Sequence, residues 1–397
     1  MSQKVITVIG KNFGDEGKGL AVDYFCSKEP SSLVIKHNGG GQAGHTVDLP
    51  DGRFVFHQLA SGSFRGAHTL WARTYYPDLY KLAEEVEAFA NVSKGRTPVI
   101  FAQATTYVTT IDDVLINMAL ESARGDDRHG SCGMGINEAD LRTKAGFGIS
   151  FADLMGISLE ELVEKLAQIR ATYGKLRLEE LGINLKDIGE YGELLSDETV
   201  LVNAAIEMLS NLSYVEVIDD PAKLCKEYKQ VVFETGQGLL LDGECQKFFP
   251  HVTASRTGLT NPVMLSKEYG ISMDEVVYVT RSYVTRHGAG MLPYECEPSK
   301  LGIAGIDQTN LTNPWQGSLR FAPHGSLDEF MEYVDDDINA AVACGMASDI
   351  KRGIMITHLN ESRGQLLTVD GPKELEEFEE KFDVSYISRT PYSCDVE

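Results

Sequence analysis

Short runs of β-branched and other apolar residues recur along this chain, and stretches with helical spacing separate them. Lys4 to Ile9, Leu33 to Lys36, Pro98 to Phe101, Val231 to Glu234, Val276 to Thr280 and Gly353 to Thr357 read as strands. Several are almost wholly apolar, as expected of strands covered on both faces. Helical periodicity marks Asp78–Phe89, Leu159–Thr172, Glu198–Leu212, Asp328–Cys344 and Lys373–Phe382. Parallel strands cannot be joined by tight hairpins, so each connection crosses a face and its helix covers the sheet. The expected class is therefore α/β: a mostly parallel central sheet flanked by helices. The 397 residues fit one large α/β domain spanning 1–397. Residues 150–219 look helical and acidic, and read as a helical insertion within it. Outer helices of the same domain are the plainer alternative.

Charge and cysteine usage narrow the setting. Lysines and arginines number 36 against 59 acidic residues, a net charge of −23. Such a body repels phosphate backbones, so no nucleic-acid partner is expected, although a local site can still bind small anions. No run of eighteen apolar residues occurs, so no membrane span is expected. The start, MSQKVITVIG, enters a strand directly and has no signal-peptide cleavage site. Seven scattered cysteines without a Cys-x-x-Cys suit reduced thiols in a cytoplasmic enzyme better than a disulfide framework or a zinc site.

Glycine-rich loops carry the chemistry. The first strand runs into Gly10-Lys11-Asn12-Phe13-Gly14-Asp15-Glu16-Gly17-Lys18-Gly19, and a helix-like segment follows. Strand, glycine turn and helix N-terminus make an anion cradle of backbone N–H groups. It is not a Walker A loop, because Asn12 stands at the first glycine and Gly19 at the Ser/Thr. Lys18 suits a phosphate; solvent-facing charges are the bland alternative. The second strand ends in His37-Asn38-Gly39-Gly40-Gly41-Gln42-Ala43-Gly44-His45-Thr46. A loop histidine at the C-terminal end of a parallel strand lies where α/β ligands bind. Further glycine-rich segments at 129–136 and 234–238 suggest one extended polar ligand or two ligands.

Gly14-Asp15-Glu16-Gly17-Lys18-Gly19, Gln42-Ala43-Gly44-His45-Thr46, Gly236-Gln237-Gly238 with Leu240-Leu241-Asp242, Val252-Thr253 and Thr285-Arg286-His287-Gly288-Ala289-Gly290 together resemble adenylosuccinate synthetase. The resemblance implies a fold related to the P-loop nucleotide hydrolases, Mg²⁺ and a homodimer. It also implies a ligase that joins aspartate to C6 of inosine monophosphate at the expense of GTP or ATP. Asp15 is implied as the base at purine N1 and a metal ligand, His45 as the acid, and the Gly44 carbonyl as a second Mg²⁺ ligand. Gln237 is implied as catalytic and purine-contacting, with Asn38, Gln42, Ser131, Cys132 and Thr253 on the purine monophosphate. Gly14, Glu16, Gly17, Lys18, Gly19 and Thr46 fall to the donor nucleotide, joined by His358, Asn360 and Ser388.

Several positions depart from the family pattern. Gln42 replaces an asparagine, and Ser131-Cys132 replaces Thr-Thr, of which cysteine is the poorer donor. The arginine-rich loop that grips aspartate becomes Thr309 to Phe321, leaving Thr309, Thr312 and Arg320 as candidate carboxylate ligands. The guanine-reading Thr-Lys-Leu-Asp becomes Thr357-His358-Leu359-Asn360. A neutral amide both donates and accepts, so ATP or dATP becomes a candidate donor. These changes resemble a bacteriophage branch that acts on deoxyguanylate, whereas the retained Asp15 favours inosinate. A nucleotide-binding regulator without catalysis is the competing class.

Overall fold

The computed structural model describes residues 3–50, 52–125, 131, 133–304 and 317–397. Its strands, in chain order, are β1 (Lys4–Gly10), β2 (Ser32–Lys36), β3 (His45–Leu49), β4 (Gly52–Phe56), β5 (His68–Trp71), β6 (Ile100–Gln103), β7 (Val215–Ile218) and β8 (Gln230–Glu234). They continue with β9 (Glu275–Arg281), β10 (Val284–Arg286), β11 (Arg320–Ala322), β12 (Lys351–Thr357), β13 (Leu366–Thr368), β14 (Gly371–Lys373) and β15 (Val384–Ile387). Nine of them form one sheet in the order β15-β12-β9-β1-β8-β2-β5-β6-β7. Every neighbouring pair in it is parallel. All six strands expected from apolar runs lie in this sheet. β5 (HTLW), β7 (VEVI) and β15 (VSYI) complete it; polar residues break each of these short strands, so no apolar run marks them.

β8 and β9 are buried along their whole length, and β1 everywhere except Lys4. Helices cover both faces, as all-parallel sheets require. Helix α1 (Lys18–Lys28) packs Leu20, Ala21 and Phe25 against Ile6 and Val8 of β1. Helices Leu159–Ile169 and Glu198–Asn211 share a core with Trp71 and Phe151 through Leu162, Leu166, Leu201 and Met208. The helical stretch between β6 and β7 thus leads straight into the edge strand of the main sheet.

One helical expectation is corrected. Lys373 closes β14, and the helix within Lys373–Phe382 is only Glu376–Glu379. Gly371 has φ 102°, and Pro372 lacks an amide hydrogen, so the segment begins as a strand paired with β13. Leu375 and Phe378 still reach the core from a single turn.

Because the strands are parallel, their C-terminal ends share one edge. β1 lies between β8 and β9, and β8 lies beside β2. The loops that follow β1, β2 and β8 are therefore brought side by side, although they begin near residues 11, 37 and 235.

Candidate active site

The loop after β1 is organised from below by a buried charge pair. Glu16, 1% exposed, accepts the backbone N–H groups of Asn12 (3.0 Å) and Gly14 (2.8 Å) on Oε1 and the Lys18 ammonium (2.7 Å) on Oε2. A carboxylate bound to two loop amides and a cation fixes the loop's shape. A Cβ at Gly10 would lie 2.4 Å from Glu16 Oε2, so this close approach needs glycine at the end of β1. Asp15 above it has φ 62°, in the left-handed region. Its carbonyl accepts from Arg281 Nε at the end of β9, and Thr357 at the end of β12 donates to the Glu16 carbonyl (2.7 Å).

His45 opens the β3–β4 hairpin, which lies against α1. A Cβ at Gly19 would stand 2.6 Å from the Thr46 carbonyl oxygen. His45 is 5% exposed, and its Nδ1 bonds the Glu234 carboxylate at the end of β8. The Ser61 hydroxyl and amide bind the same carboxylate, and the Lys36 ammonium lies 3.8 Å from it. Burial alone would raise the Glu234 carboxyl, but Lys36 and His45 outweigh it and bring its pKa down to about 2. Burial lowers the His45 imidazole to about 4 against the pull of Glu234. The ring is thus neutral, its Nδ1–H donates to Glu234, and Nε2 is left as a lone pair. That Nε2 is buried and has no partner among the described residues. Burial likewise raises the Asp15 carboxyl, with His287, Arg281 and Lys18 opposing it.

Two cavities open above these loops, of about 720 and 320 Å³. Asp15, Lys18, Gly44 and His45 line both, so the two spaces meet at these residues. Gln42, Ser131, Gln237 and Thr253 line the larger, as does Gly14, which sequence reasoning assigned to the donor. Gly17, Gly19, Thr46, His358, Asn360 and Ser388 line the smaller. Gln42 Nε2 donates to Gln237 Oε1 (3.4 Å), and Ser131 Oγ to Asn117 Oδ1 (2.8 Å).

Three expected ligands lie elsewhere. Glu16 lines neither cavity, because its carboxylate is turned under the loop. Asn38 lines neither; its amide bridges to the Gly236 N–H (2.8 Å) and carbonyl (3.1 Å), tying the loops after β2 and β8 together. Arg320 also lines neither: it donates to the Gly288 (2.9 Å) and Gly290 (2.8 Å) carbonyls and to Glu295 (2.8 Å). Cys132, Thr309 and Thr312 lie outside the described residues. Sequence reasoning gave no role to Glu234 or His287. Their signal was a carboxylate ending an apolar strand and a histidine beside Gly288.

Comparison with known proteins agrees with this architecture. The family profile described as adenylosuccinate synthetase matches residues 7–312. A curated adenylosuccinate synthetase of Thermoplasma acidophilum is 29% identical over 297 residues, 74% of this chain and 64% of its own length. One of Picrophilus torridus is 28% identical over 310 residues, 78% of this chain and 69% of its own. The chain thus spans just under two thirds of the Thermoplasma protein. A fully ligated adenylosuccinate synthetase from Plasmodium falciparum superposes with a TM-score of 0.71, at 17% identity, over 99% of both chains. The cyanophage S-2L succinoaminodeoxyadenylate synthetase, solved with dGMP and with dATP as energy donor, gives 0.63 at 16% identity over 100% of this chain and 95% of its own. At those identities the likeness is one of fold. With more than half the chain matched by one profile and its motifs meeting where two cavities join, the protein belongs to the adenylosuccinate synthetase family.

Proposed function

We propose that the protein is a C–N ligase that joins aspartate to C6 of a 6-oxopurine nucleoside monophosphate, driven by a nucleoside triphosphate. Inosinate as acceptor gives adenylosuccinate. The observation that carries this reading is the convergence of Asp15 and His45 at the junction of two nucleotide-sized cavities. A 6-oxo group leaves poorly. Asp15 removes the N1 proton, which pushes electrons onto O6. O6 then attacks the γ-phosphorus of a donor held in the smaller cavity, and the O–P bond to the leaving diphosphate breaks. Lys18 at the junction balances phosphate charge, and His45, once protonated at Nε2 with Glu234 holding Nδ1–H, serves as the acid that donates to the oxygens on which charge builds. The aspartate amine adds at C6, and phosphate departs.

The Asp15 carboxylate and the Gly44 carbonyl are hard oxygen donors of the kind Mg²⁺ takes beside substrate phosphates, and both line the junction. They would hold the ion, which when bound neutralises charge on the donor's oxygens. The reading includes a homodimer in the cytoplasm. Among the described residues no helix is long and apolar enough to cross a membrane.

A second reading concerns the donor. His358 and Asn360 line the smaller cavity away from the junction, and the Asn360 amide can both donate and accept. This favours an adenine nucleotide over GTP. A matrix of IMP, GMP and dGMP against GTP, ATP and dATP, with aspartate and Mg²⁺ and read by product mass, tests both readings. Absence of product and of phosphate release throughout would favour a nucleotide-binding regulator.

A further inference from the structure

Two non-glycine residues on the wall of the smaller cavity have left-handed backbone, Asp15 (φ 62°) and His358 (φ 59°). A residue with a Cβ keeps that conformation where its surroundings hold it. Two consecutive residues where β9 ends hold both. Arg281 Nε donates to the Asp15 carbonyl, and the Ser282 hydroxyl donates to the His358 carbonyl (3.1 Å).

Arg281 is itself held. Its Nη1 donates to the Tyr283 hydroxyl (3.2 Å), which donates to Glu361 Oε2 (2.6 Å). Arg281 and Glu361 line the smaller cavity, whereas Tyr283 lines neither cavity. Both Arg281 and Tyr283 are buried, with the guanidinium carbon 5.7 Å from the centre of the phenol ring. A planar guanidinium carries its donors in a fixed fork, so Nε and Nη1 serve different partners at once. One hydrogen-bonded chain therefore runs from the donor side through Glu361, Tyr283 and Arg281 to Asp15. Charge acts along the same line. Burial raises the Asp15 carboxyl, and after His287 the Arg281 cation does most to oppose it.

We propose that Arg281 is a positioning residue for the deprotonation step of the ligase reading above, on which this inference rests. It fixes the Asp15 backbone so that the carboxylate stands at the junction of the cavities. Tyr283 and Glu361 fix Arg281 in turn.

The test uses R281M, R281K and Y283F. Steady-state kcat and both nucleotide KM values are measured across pH. The Cα and Cβ carbon-13 shifts of Asp15, which report φ, are measured without substrate. R281M should lower kcat about 10²-fold, move the acidic limb of the kcat profile to higher pH and lose the left-handed shifts. R281K keeps the charge and an N–H donor, and should recover at least about tenfold of that loss and return the limb. Y283F removes a hydroxyl that touches neither cavity, and should lower kcat about tenfold with nucleotide KM unmoved. Wild-type kcat in R281M overturns the assignment. So does a raised donor KM in R281M with kcat, limb and Asp15 shifts unchanged, which would make Arg281 a donor ligand. Wild-type kcat and Asp15 shifts in Y283F overturn it as well, and this arm stands even if R281M does not fold. Phosphate release by the wild type tests the ligase reading separately. Its failure beside left-handed shifts that R281M loses would remove the catalysis and leave Arg281 as the residue that fixes Asp15.

Discussion

His45 Nδ1 is bonded to the carboxylate of Glu234, 189 residues away in sequence, while His45 Nε2 is buried and has no partner among the described residues, beside the meeting of two cavities. One end of the imidazole is fixed by a charged acceptor, which sets the orientation of the ring. Glu234→Gln replaces an acceptor-only group with an amide that can donate to Nδ1 and favour the other tautomer. The expected outcome is a fall in kcat of about 10²-fold with a much smaller change in nucleotide KM. Steady-state kinetics of the variant check it; wild-type kcat would remove Glu234 from the mechanism.

Gly19→Ala should act through packing. The new Cβ would meet the Thr46 carbonyl oxygen at 2.6 Å, which is backbone and cannot swing aside. The β3–β4 hairpin must shift and carry His45 with it. A loss of about 1–3 kcal/mol in unfolding free energy is expected, with activity falling further than stability explains. Denaturant melts and kcat on one preparation separate the two effects.

Asn360→Asp tests the donor pocket. A carboxylate accepts twice from a guanine edge but offers nothing to adenine N1. The preference for GTP over ATP should rise by about tenfold or more, roughly 1.4 kcal/mol. Competition between the two triphosphates measures it, and an unmoved ratio would place the base-reading group elsewhere.

Arg320→Leu distinguishes a clamp from a brace. Its guanidinium holds the loop that carries His287 through two carbonyls and lines neither cavity. As a brace, its loss should weaken purine monophosphate binding as well as raise aspartate KM. A rise in aspartate KM alone would show that Arg320 grips the amino acid directly. Calorimetry with the monophosphate beside aspartate kinetics decides between them.

Lys11 sets a pH dependence of stability. Its ammonium is buried over the Phe330 ring, 3.7 Å from the centroid, and burial lowers its pKa to about 7 despite Glu329 and Glu16. The unfolded chain keeps this proton up to about pH 10, so between about 7 and 10 the unfolded state binds more protons than the folded one. Stability contributed at this site therefore rises with pH across that window. Lys11→Met should abolish the rise. Unfolding free energies of the two proteins at pH 7 and pH 9 measure it, and a constant difference would contradict the buried cation.

Local pattern alone determined the layers of this protein. Strands covered on both faces must be apolar throughout, so β1, β8 and β9 were legible as runs, and the helices between them as periodicity. Glycines after β1, β2 and β8 marked the loops, because close backbone approach excludes a Cβ. Tertiary structure alone decided which charges face the cavities. Glu16 and Lys18 stand two residues apart in one motif, yet Glu16 turns inward to bind the loop's amides while Lys18 reaches the junction. Glu234 became the partner of His45, and Arg320 came to hold the Gly288 and Gly290 carbonyls, only because strand order sets β8 between β1 and β2 and pairs β11 with β10. Strand order depends on long-range packing across the whole sheet, to which no local window of sequence is sensitive.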